Sequence, residues 1–471
     1  MIKNKLNIIS LISVIISILL IIFIVKLGIL PERYLSIAII IIILVNLLGI
    51  ILINKDKALK IVGIVILVLL FILSSIFIFY LSSTNNFFDK SFENAPNTYK
   101  TTYYVICKKD SNYKKISDLK AKTISYYESE ANIDKAITKL NNKVRINKNG
   151  YSDISLMFSD LSVDDTKVVL ISEGAYNLLF DIDKNLSKDN YKVLYKFSVT
   201  SKMRLKQTSK DDVINIFVGG LDFTNTNMDL NMLITINTKS RKILLTSIPR
   251  DYYIEVDGYN GKKDTLSYMG ALGIDTNVRS VEKLFGIKID YYLSIKTNSL
   301  VSLVDEVGGI NYCSEHEYTT THAMILNSYN DSQGRKLHVK KGCQHLNGIE
   351  TLTIARERKA FPGSDRQRQI NCQNIVVDIF DSMKSINTIT NYNKILTSVG
   401  NLYETNIPKK VTKNLIKETI NNPNWEIESQ VLDGDDTHDY VHMTNLIDWV
   451  MYPNIDSVNQ AKEKIIEVSN K

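Results

Sequence analysis

Cysteine and histidine are scarce in this chain, and neither is spaced for chemistry. There are four cysteines, Cys107, Cys313, Cys343 and Cys372, with no CxxC pair and no Cys/His spacing of a zinc site. The six histidines, at 316, 322, 338, 345, 438 and 442, show no ligand spacing either. P-loop, GxGxxG, GxSxG and HExxH signatures are all missing, so nothing points to a nucleotide cradle, a nucleophile elbow or a zinc-protease helix. Charge is missing in a different way: residues 6–25, 34–54 and 61–88 contain no Asp, Glu, Lys or Arg.

Each of those runs is long enough for a hydrocarbon core of ~30 Å, which takes about 20 helical residues. The sequence therefore predicts three transmembrane helices, at about 6–25, 34–54 and 61–81, within an anchor of residues 1–88. The first run is too long for a signal peptide, no small-residue cleavage site follows it, and two more spans come after. Lys3 and Lys5 precede the first span, and Lys55, Lys57 and Lys60 lie between the second and third. Only Lys26 and Arg33 lie between the first and second. The bias of Lys and Arg toward cytoplasmic loops puts the N-terminus inside and everything after residue 88 outside the cell membrane.

Past a polar linker (82–98) the pattern alternates between strand and helix. Strands are predicted at 101–107 and 191–199, a helix-like turn into a strand at 114–127, and a strand running into a helix at 167–182. A helix at 131–144 places Ile133, Ala136, Ile137 and Leu140 on one face. This is the signature of a small accessory α/β domain, about 96–206, with no catalytic constellation. A second polar linker (201–212) leads to a third unit, 211–471. There, strands at 230–236 and 243–248 flank the turn Thr238-Lys239-Ser240-Arg241, so that cross-strand partners sum to 479 and Asp229 falls opposite Arg250. Helices are expected at 275–286, 300–309, 344–358 and 367–385, the last with Ile370, Ile375, Val376, Ile379 and Phe380 toward the core. Strands are expected at 289–296, 310–313 and 425–432, and the tail from 386 offers no readable chemistry. Cys313 and Cys343 could bridge a loop of about 30 residues.

The net charge is +7, yet Arg335 to Arg368 alone holds nine Lys/Arg against three acids, an excess of six. A basic patch outside a membrane points to phosphates, acidic lipids or an anionic polymer rather than nucleic acid. Arginine dominates it, and guanidinium suits planar two-pronged contact with phosphate oxygens. Asp222, Asp229 and Asp251 lie near Arg250 in sequence or by the expected register. Carboxylates beside such arginines suit a hard divalent cation whose shell substrate phosphates complete. Both together suit phosphoryl transfer.

The motifs GLD (220–222), MD (228–229), TSIPRD (246–251), KDTLSYMG (263–270), LFGIKIDYYLSI (284–295), LVDEVGGI (303–310), KGCQHLNG (341–348), ARER (355–358) and GSDRQR (363–368) occur in one order. In that order they resemble the LytR-CpsA-Psr family, directly over about 213–390. Three spans and an accessory domain resemble its capsule-type branch. The resemblance implies an α/β/α sandwich around a mixed sheet, and a membrane-anchored transferase of Gram-positive cell-wall biogenesis. Such an enzyme moves a glycopolymer, capsule or teichoic acid among them, from an undecaprenyl pyrophosphate carrier to peptidoglycan. It implies magnesium, with manganese as a substitute, on Asp222 and Asp229. It implies a pyrophosphate clamp of Arg250, Arg356, Arg358 and Arg368, with Lys263 and Gln373 as further substrate contacts; Arg366 is a further candidate contact that would compensate for a clamp residue lost here, and either Asp251 or a metal-bound aspartate would take the hydroxyl proton. The sequence departs from the family where Asn227-Met228-Asp229 stands in place of Arg-Ser-Asp and Asn371-Cys372-Gln373 in place of Arg-Gln-Gln. Two other readings compete: a polyprenyl-pyrophosphate hydrolase, and an extracellular lipid- or ligand-binding sensor. A sensor needs a cytoplasmic output module, and only short loops face inward.

Overall fold

The computed structural model describes residues 2–470 except 93–97, 129, 131, 183–185, 203–211, 224–225, 260, 325–333, 361–363, 383–402 and 445. The expected linker at 201–212, the end of the helix expected at 367–385 and the start of the tail fall largely outside that set. The chain forms two compact units, one of Met1–Ala95, Asn391–Asn401 and Ile407–Trp425, the other of Pro96–Thr390, Leu402–Asn406 and Glu426–Lys471.

The first unit holds three helices long and apolar enough to cross a membrane. They are α1 (Ile2–Leu27), α2 (Glu32–Ile53) and α3 (Lys57–Phe92). Their few polar residues face one another: Ser13 Oγ donates to Asn46 Oδ1 at 2.9 Å, and Asn46 Nδ2 donates to Ser17 Oγ at 2.8 Å. In hydrocarbon such groups have only each other to satisfy them. Gly63 lets α3 approach α2, since a Cβ there would lie 2.8 Å from Gly49 O. α3 does not stop with its apolar run at Leu81; the residues read as a linker continue the helix to Phe92.

In the second unit, a five-stranded sheet in the order β3-β2-β4-β1-β5 joins β1 (Thr98–Lys108), β2 (Thr123–Tyr127), β3 (Asn147–Tyr151), β4 (Val168–Ser172) and β5 (Tyr191–Lys202). Helices α4 (Ile133–Lys143), α5 (Ile154–Val163) and α6 (Glu173–Ile182) accompany it. α4 buries Ile133, Ala136, Ile137 and Leu140, the face expected from their spacing.

The larger sheet is mixed and six-stranded, in the order β16-β11-β6-β7-β8-β17. Its strands are β6 (Val213–Leu221), β7 (Met228–Asn237), β8 (Lys242–Ile248), β11 (Tyr291–Ile295), β16 (Tyr403–Thr405) and β17 (Glu426–Val431). The short strands β9 (Tyr253–Glu255) and β10 (Lys263–Thr265) pair beside it. Phe217, Leu233 and Leu244 on one face form a core with Val278, Val281 and Phe285 of α8 (Ile274–Phe285) and with Val458, Ile465 and Val468 of the C-terminal helix, α13 (Ile455–Asn470). Each fully buried side chain of this kind contributes about 1.5–3 kcal/mol. A second cluster brings together Val304 of α9 (Thr297–Glu306), Ile354 of α10 (Gly348–Arg356) and Ile375 of α11 (Ser364–Ser382). The described residues also form the one-turn helix α7 (Leu266–Met269), the helix α12 (Lys409–Asn421) and three two-stranded pairs. The pairs are β12 (Ile310–Ser314) with β15 (Gly342–Leu346), β13 (Tyr318–Ala323) with β14 (Lys336–Val339), and β18 (Gly434–Val441) with β19 (Leu446–Pro453).

The β7–β8 register is the expected one: Asn231 pairs with Ile248 and Asn237 with Lys242. Residues 344–346, expected as the start of a helix, are strand, because Gly342–Leu346 pairs with Ile310–Ser314 and the helix begins only at Gly348. In that pairing Cys313 lies opposite Cys343, and the two form a disulfide.

Candidate active site

The site is assembled where β6 ends and β7 begins. Gly219 and Gly220 admit side chains from the neighbouring strand: a Cβ on Gly219 would lie 2.3 Å from Met228 Sδ, and one on Gly220 2.8 Å from Leu230 Cβ. Gly220 pairs with Leu230 but Leu221 pairs with Met228, which leaves Asp229 as the extra residue of a β-bulge. A bulge re-aims a side chain out of the regular pleat. Asp229 Oδ1 receives Arg250 Nη1 at 2.6 Å, although β8 has already ended at Ile248. Asp222, just past β6, is buried; its Oδ1 accepts from the backbone N–H of Thr226 at 2.9 Å and of Asn227 at 3.3 Å. The Asn227 Nδ2 donates to Asp222 Oδ2 at 3.4 Å, while Asn227 Oδ1 is buried with no hydrogen bond.

Three arginines from distant segments meet here. Arg250 follows β8, Arg358 lies two residues past α10, and Arg368 is on the first turns of α11. Asp365, also on α11, ties two of them: its Oδ1 lies 2.8 Å from Arg368 Nε and 3.3 Å from Arg358 Nε, and its Oδ2 accepts from Gln369 Nε2 at 2.9 Å. Arg368 Nη1 donates to the Asp229 carbonyl at 2.9 Å. Asp251 lies 3.4 Å from both Arg250 Nε and Arg358 Nη2. Three guanidiniums thus face three carboxylates, those of Asp229, Asp251 and Asp365. Three of the contacts are long, at 3.3–3.4 Å, and Arg250 Nε and Arg358 Nε make no well-formed hydrogen bond.

The electrostatics separate the carboxylates. Burial acts to raise the Asp365 carboxyl, but Arg368, with Arg358 and Arg250 behind it, holds it down at about 2. Asp251 goes the other way: burial raises it above the usual carboxylate range, against the pull of Arg250. Burial lowers Arg358, helped by the neighbouring Arg250. It opposes the charge on Arg250 too, but Asp229 and Asp251 hold that proton more firmly than usual.

Of the residues singled out in the sequence, Asp229, Arg250, Asp251, Arg358 and Arg368 come together. Arg356 is the last residue of α10 and half-buried. Lys263 is exposed, its Nζ 5.8 Å from the Tyr452 ring centroid. Arg366 turns to Asp433 at 2.8 Å, a pair more than half exposed on both sides. Gln373 is buried, its Nε2 donating to Ser247 Oγ at 2.9 Å and to the Gln430 carbonyl at 2.8 Å, so it fastens α11 to the sheet. Sequence reasoning passes over Asp365, Gln369 and Ser267, whose N–H donates to the Arg250 carbonyl at 2.8 Å. The spacing Asp365-Arg368-Gln369, i to i+3 and i+4 on a helix, is the available signal for the first two.

Among the described residues no three His, Cys, Asp or Glu side chains gather as a preformed metal cage. A hard cation of the magnesium type does not need one, because it takes one or two carboxylates and lets substrate phosphates complete its shell. Asp222 and Asp229 flank one strand pair, the unpartnered Asn227 oxygen lies between them in sequence, and every donor is oxygen, so the residues present fit such an ion.

Two relatives are named polyisoprenyl-teichoic acid–peptidoglycan teichoic acid transferase TagU. That of Bacillus mycoides (strain KBAB4) is 28% identical over 246 residues, 51% of this chain and 76% of the relative, and that of Bacillus cereus (strain AH820) is 29% identical over the same shares. Bacillus subtilis TagV superimposes with a TM-score of 0.45 at 24% identity, over 55% of this chain and 98% of TagV. The sequence profile of the LytR_cpsA_psr family matches residues 175–464, more than half of the chain and all of the cluster just described, and the chain belongs to that family.

Proposed function

We propose that this protein is a membrane-anchored, magnesium-dependent phosphotransferase that moves a cell-wall glycopolymer, anionic or neutral, from an undecaprenyl pyrophosphate carrier to peptidoglycan. The observation that carries the reading is the joining of Arg250, Arg358 and Arg368 through Asp229, Asp251 and Asp365. Three positive and three negative charges leave the cluster near neutral. It takes up a pyrophosphate by exchanging long carboxylate contacts for phosphate oxygens, which suits Arg250 Nε and Arg358 Nε. Magnesium on Asp222 and Asp229, when bound, supplies the positive charge that this exchange lacks. The accessory and catalytic segments stand outside the cell in this reading, which the Lys/Arg asymmetry of the span loops and the Cys313–Cys343 disulfide support.

In the reaction a sugar hydroxyl of peptidoglycan attacks the polymer-linked phosphorus. An O–P bond forms, the anhydride P–O bond breaks, and undecaprenyl phosphate leaves carrying the anhydride electrons. Asp251 takes the hydroxyl proton: burial has raised its affinity for one, and its contacts to Arg250 and Arg358 are long enough to yield. Asp365, held at about 2, remains the fixed counter-ion. Arg250 and Arg358 neutralise charge as it shifts to the leaving phosphate.

The test uses the full chain in liposomes with a polyprenyl-pyrophosphate-linked oligosaccharide and soluble peptidoglycan. Transfer of label to peptidoglycan with release of lipid phosphate is expected, with a loss of about a hundredfold or more in Arg358→Ala. Undiminished transfer in that variant removes the clamp assignment; lipid phosphate release without transfer makes the protein a hydrolase.

A further inference from the structure

The segment between β16 and β17 packs with the membrane helices although the strands on either side of it belong to the large sheet: Ile407–Trp425 lies in the first compact unit. Its helix α12, KKVTKNLIKETIN, places Val411, Leu415, Ile416 and Ile420 on one side and Lys410, Lys413, Asn414 and Lys417 on the other. A helix so divided normally buries its apolar side, yet no residue of α12 is buried, and Ile420 is 37% exposed.

Its position explains this. Lys409 pairs with Asp89 of α3, and Lys413 Nζ stands 5.5 Å from the Phe88 ring centroid. At the other end of α12, Arg33 Nη2 donates to the Asn421 carbonyl. Asp89 is eight residues past the end of the α3 apolar run at Leu81, about 12 Å along a helix. Arg33 immediately precedes the apolar run that begins at Tyr34. α12, about 20 Å long, therefore begins above the hydrocarbon boundary and ends at it. Tyr34 is 39% exposed at that boundary with the Arg33 guanidinium over its ring at 4.5 Å, and Trp425 follows the lower end of α12, its Nε1 donating to Thr419 Oγ1 at 3.2 Å. Tyr and Trp with a basic neighbour are what a membrane–water interface collects.

We infer that α12 is an interfacial helix that binds acidic lipid at the end of the bundle where α1 turns into α2 and α3 emerges. Ile420 and Trp425 enter the headgroup layer, and Lys410 and Lys417 meet lipid phosphates. The occupant is a lipid surface because charge and level both match it: α12 carries four lysines and one glutamate, with one lysine spent on Asp89. The inference rests on the three apolar helices and not on the transferase reading.

The chain has two tryptophans, Trp425 and Trp449, so Trp449→Phe leaves Trp425 as the only indole. In the full chain reconstituted into vesicles of phosphatidylcholine and phosphatidylglycerol, lipids brominated high on the acyl chain quench Trp425 in Trp449→Phe. Bromine carried on phosphatidylglycerol quenches Trp425 more than the same fraction carried on phosphatidylcholine, and Lys410→Gln/Lys417→Gln brings that ratio toward one, each lysine having enriched acidic lipid by about fivefold at most. Unquenched Trp425 overturns the proposal and assigns the apolar side of α12 to protein or water. Equal quenching by the two lipids in the unsubstituted helix overturns the acidic-lipid part.

Discussion

Asp365→Asn tests the counter-ion at the centre of the cluster. The substitution keeps the side-chain volume and an oxygen for Arg368 Nε, but removes the charge. The pair it breaks is secluded, with side chains 9% and 6% exposed for Asp365 and Arg368. An amide at this position would leave three guanidiniums facing two carboxylates. Removing one partner of a buried pair costs about 3–5 kcal/mol, and the retained hydrogen bond argues for the lower end. Linkage gives a similar figure: a carboxyl moved from 3.8 to about 2 contributes roughly 2–3 kcal/mol when ionised. For a domain of this size ~3 kcal/mol lowers Tm by roughly 6–12 °C. Because the folded-state pKa lies below the unfolded one, that stability is present above about pH 4. It is lost as pH falls toward 2, where the wild type protonates the same group. Thermal unfolding of the full chain in detergent between pH 7 and pH 3 therefore shows a gap between wild type and Asp365→Asn that narrows in acid. An unchanged Tm at pH 7, or a gap that does not narrow, refutes the assignment. Arg366→Gln is the matched control, since the exposed pair with Asp433 contributes about 0–1 kcal/mol.

Gln373→Ala, which strips α11 of its bonds to Ser247 and Gln430, destabilises by about 1–3 kcal/mol; urea unfolding registers this, while the KM for lipid substrate changes little if Gln373 is a fastener. Lys263→Ala leaves transfer within about threefold, because a surface ammonium beside Tyr452 contributes only about 0.5–1 kcal/mol; a hundredfold loss in the liposome assay would bring Lys263 into the clamp. Reducing Cys313–Cys343, which closes a separation of 30 residues, lowers stability by about 2–4 kcal/mol and exposes the β12–β15 pair to limited proteolysis. Asn227→Ala removes the buried amide beside Asp222; a raised magnesium requirement with unchanged Tm is expected, and an unchanged requirement separates Asn227 from the cation.

Legibility follows the kind of signal each element carries. The apolar runs announce α1, α2 and α3, because hydrocarbon demands a length that few other sequences meet. The β7–β8 register can be read because a tight turn and two β-branched strands fix it, and the partners sum as expected from Asn231 to Asn237. The continuation of α3 beyond Leu81 is illegible: residues 82–92 are mostly polar, and what holds them in helix includes pairing with α12, a segment more than 300 residues away in sequence. The helix expected at 344–358 is misplaced at its start because Gln344 and His345 are drawn into strand by the partner β12, which a local window cannot see.

α11 shows most clearly why the site resists the sequence. Amphipathic reasoning seeks its buried face among Ile370, Ile375, Val376, Ile379 and Phe380, yet of these only Ile375 is fully buried. The residues that are buried include Asp365, Arg368, Gln369, Asn371 and Gln373. Burying a polar helix side is costly unless its groups find partners, and here the partners come from β7, the end of β8, the loop after α10, β12 and β17. The bulge at Asp229 belongs to the same arrangement. A regular β6–β7 pairing would have set Asp229 opposite Leu221, whereas the slip leaves it unpaired with β6, its side chain on Arg250 and its carbonyl on Arg368. Departures from regular patterning thus converge on one cluster, as expected where packing is subordinate to chemistry. An arginine at position 227, where the resemblance to the family leads one to expect it, would have brought a fourth guanidinium to the Asp222 loop. With asparagine there, Asp222 is bound by backbone and amide N–H groups instead, and in the proposed function the phosphate contacts fall to Arg250, Arg358 and Arg368, the last two held by Asp365.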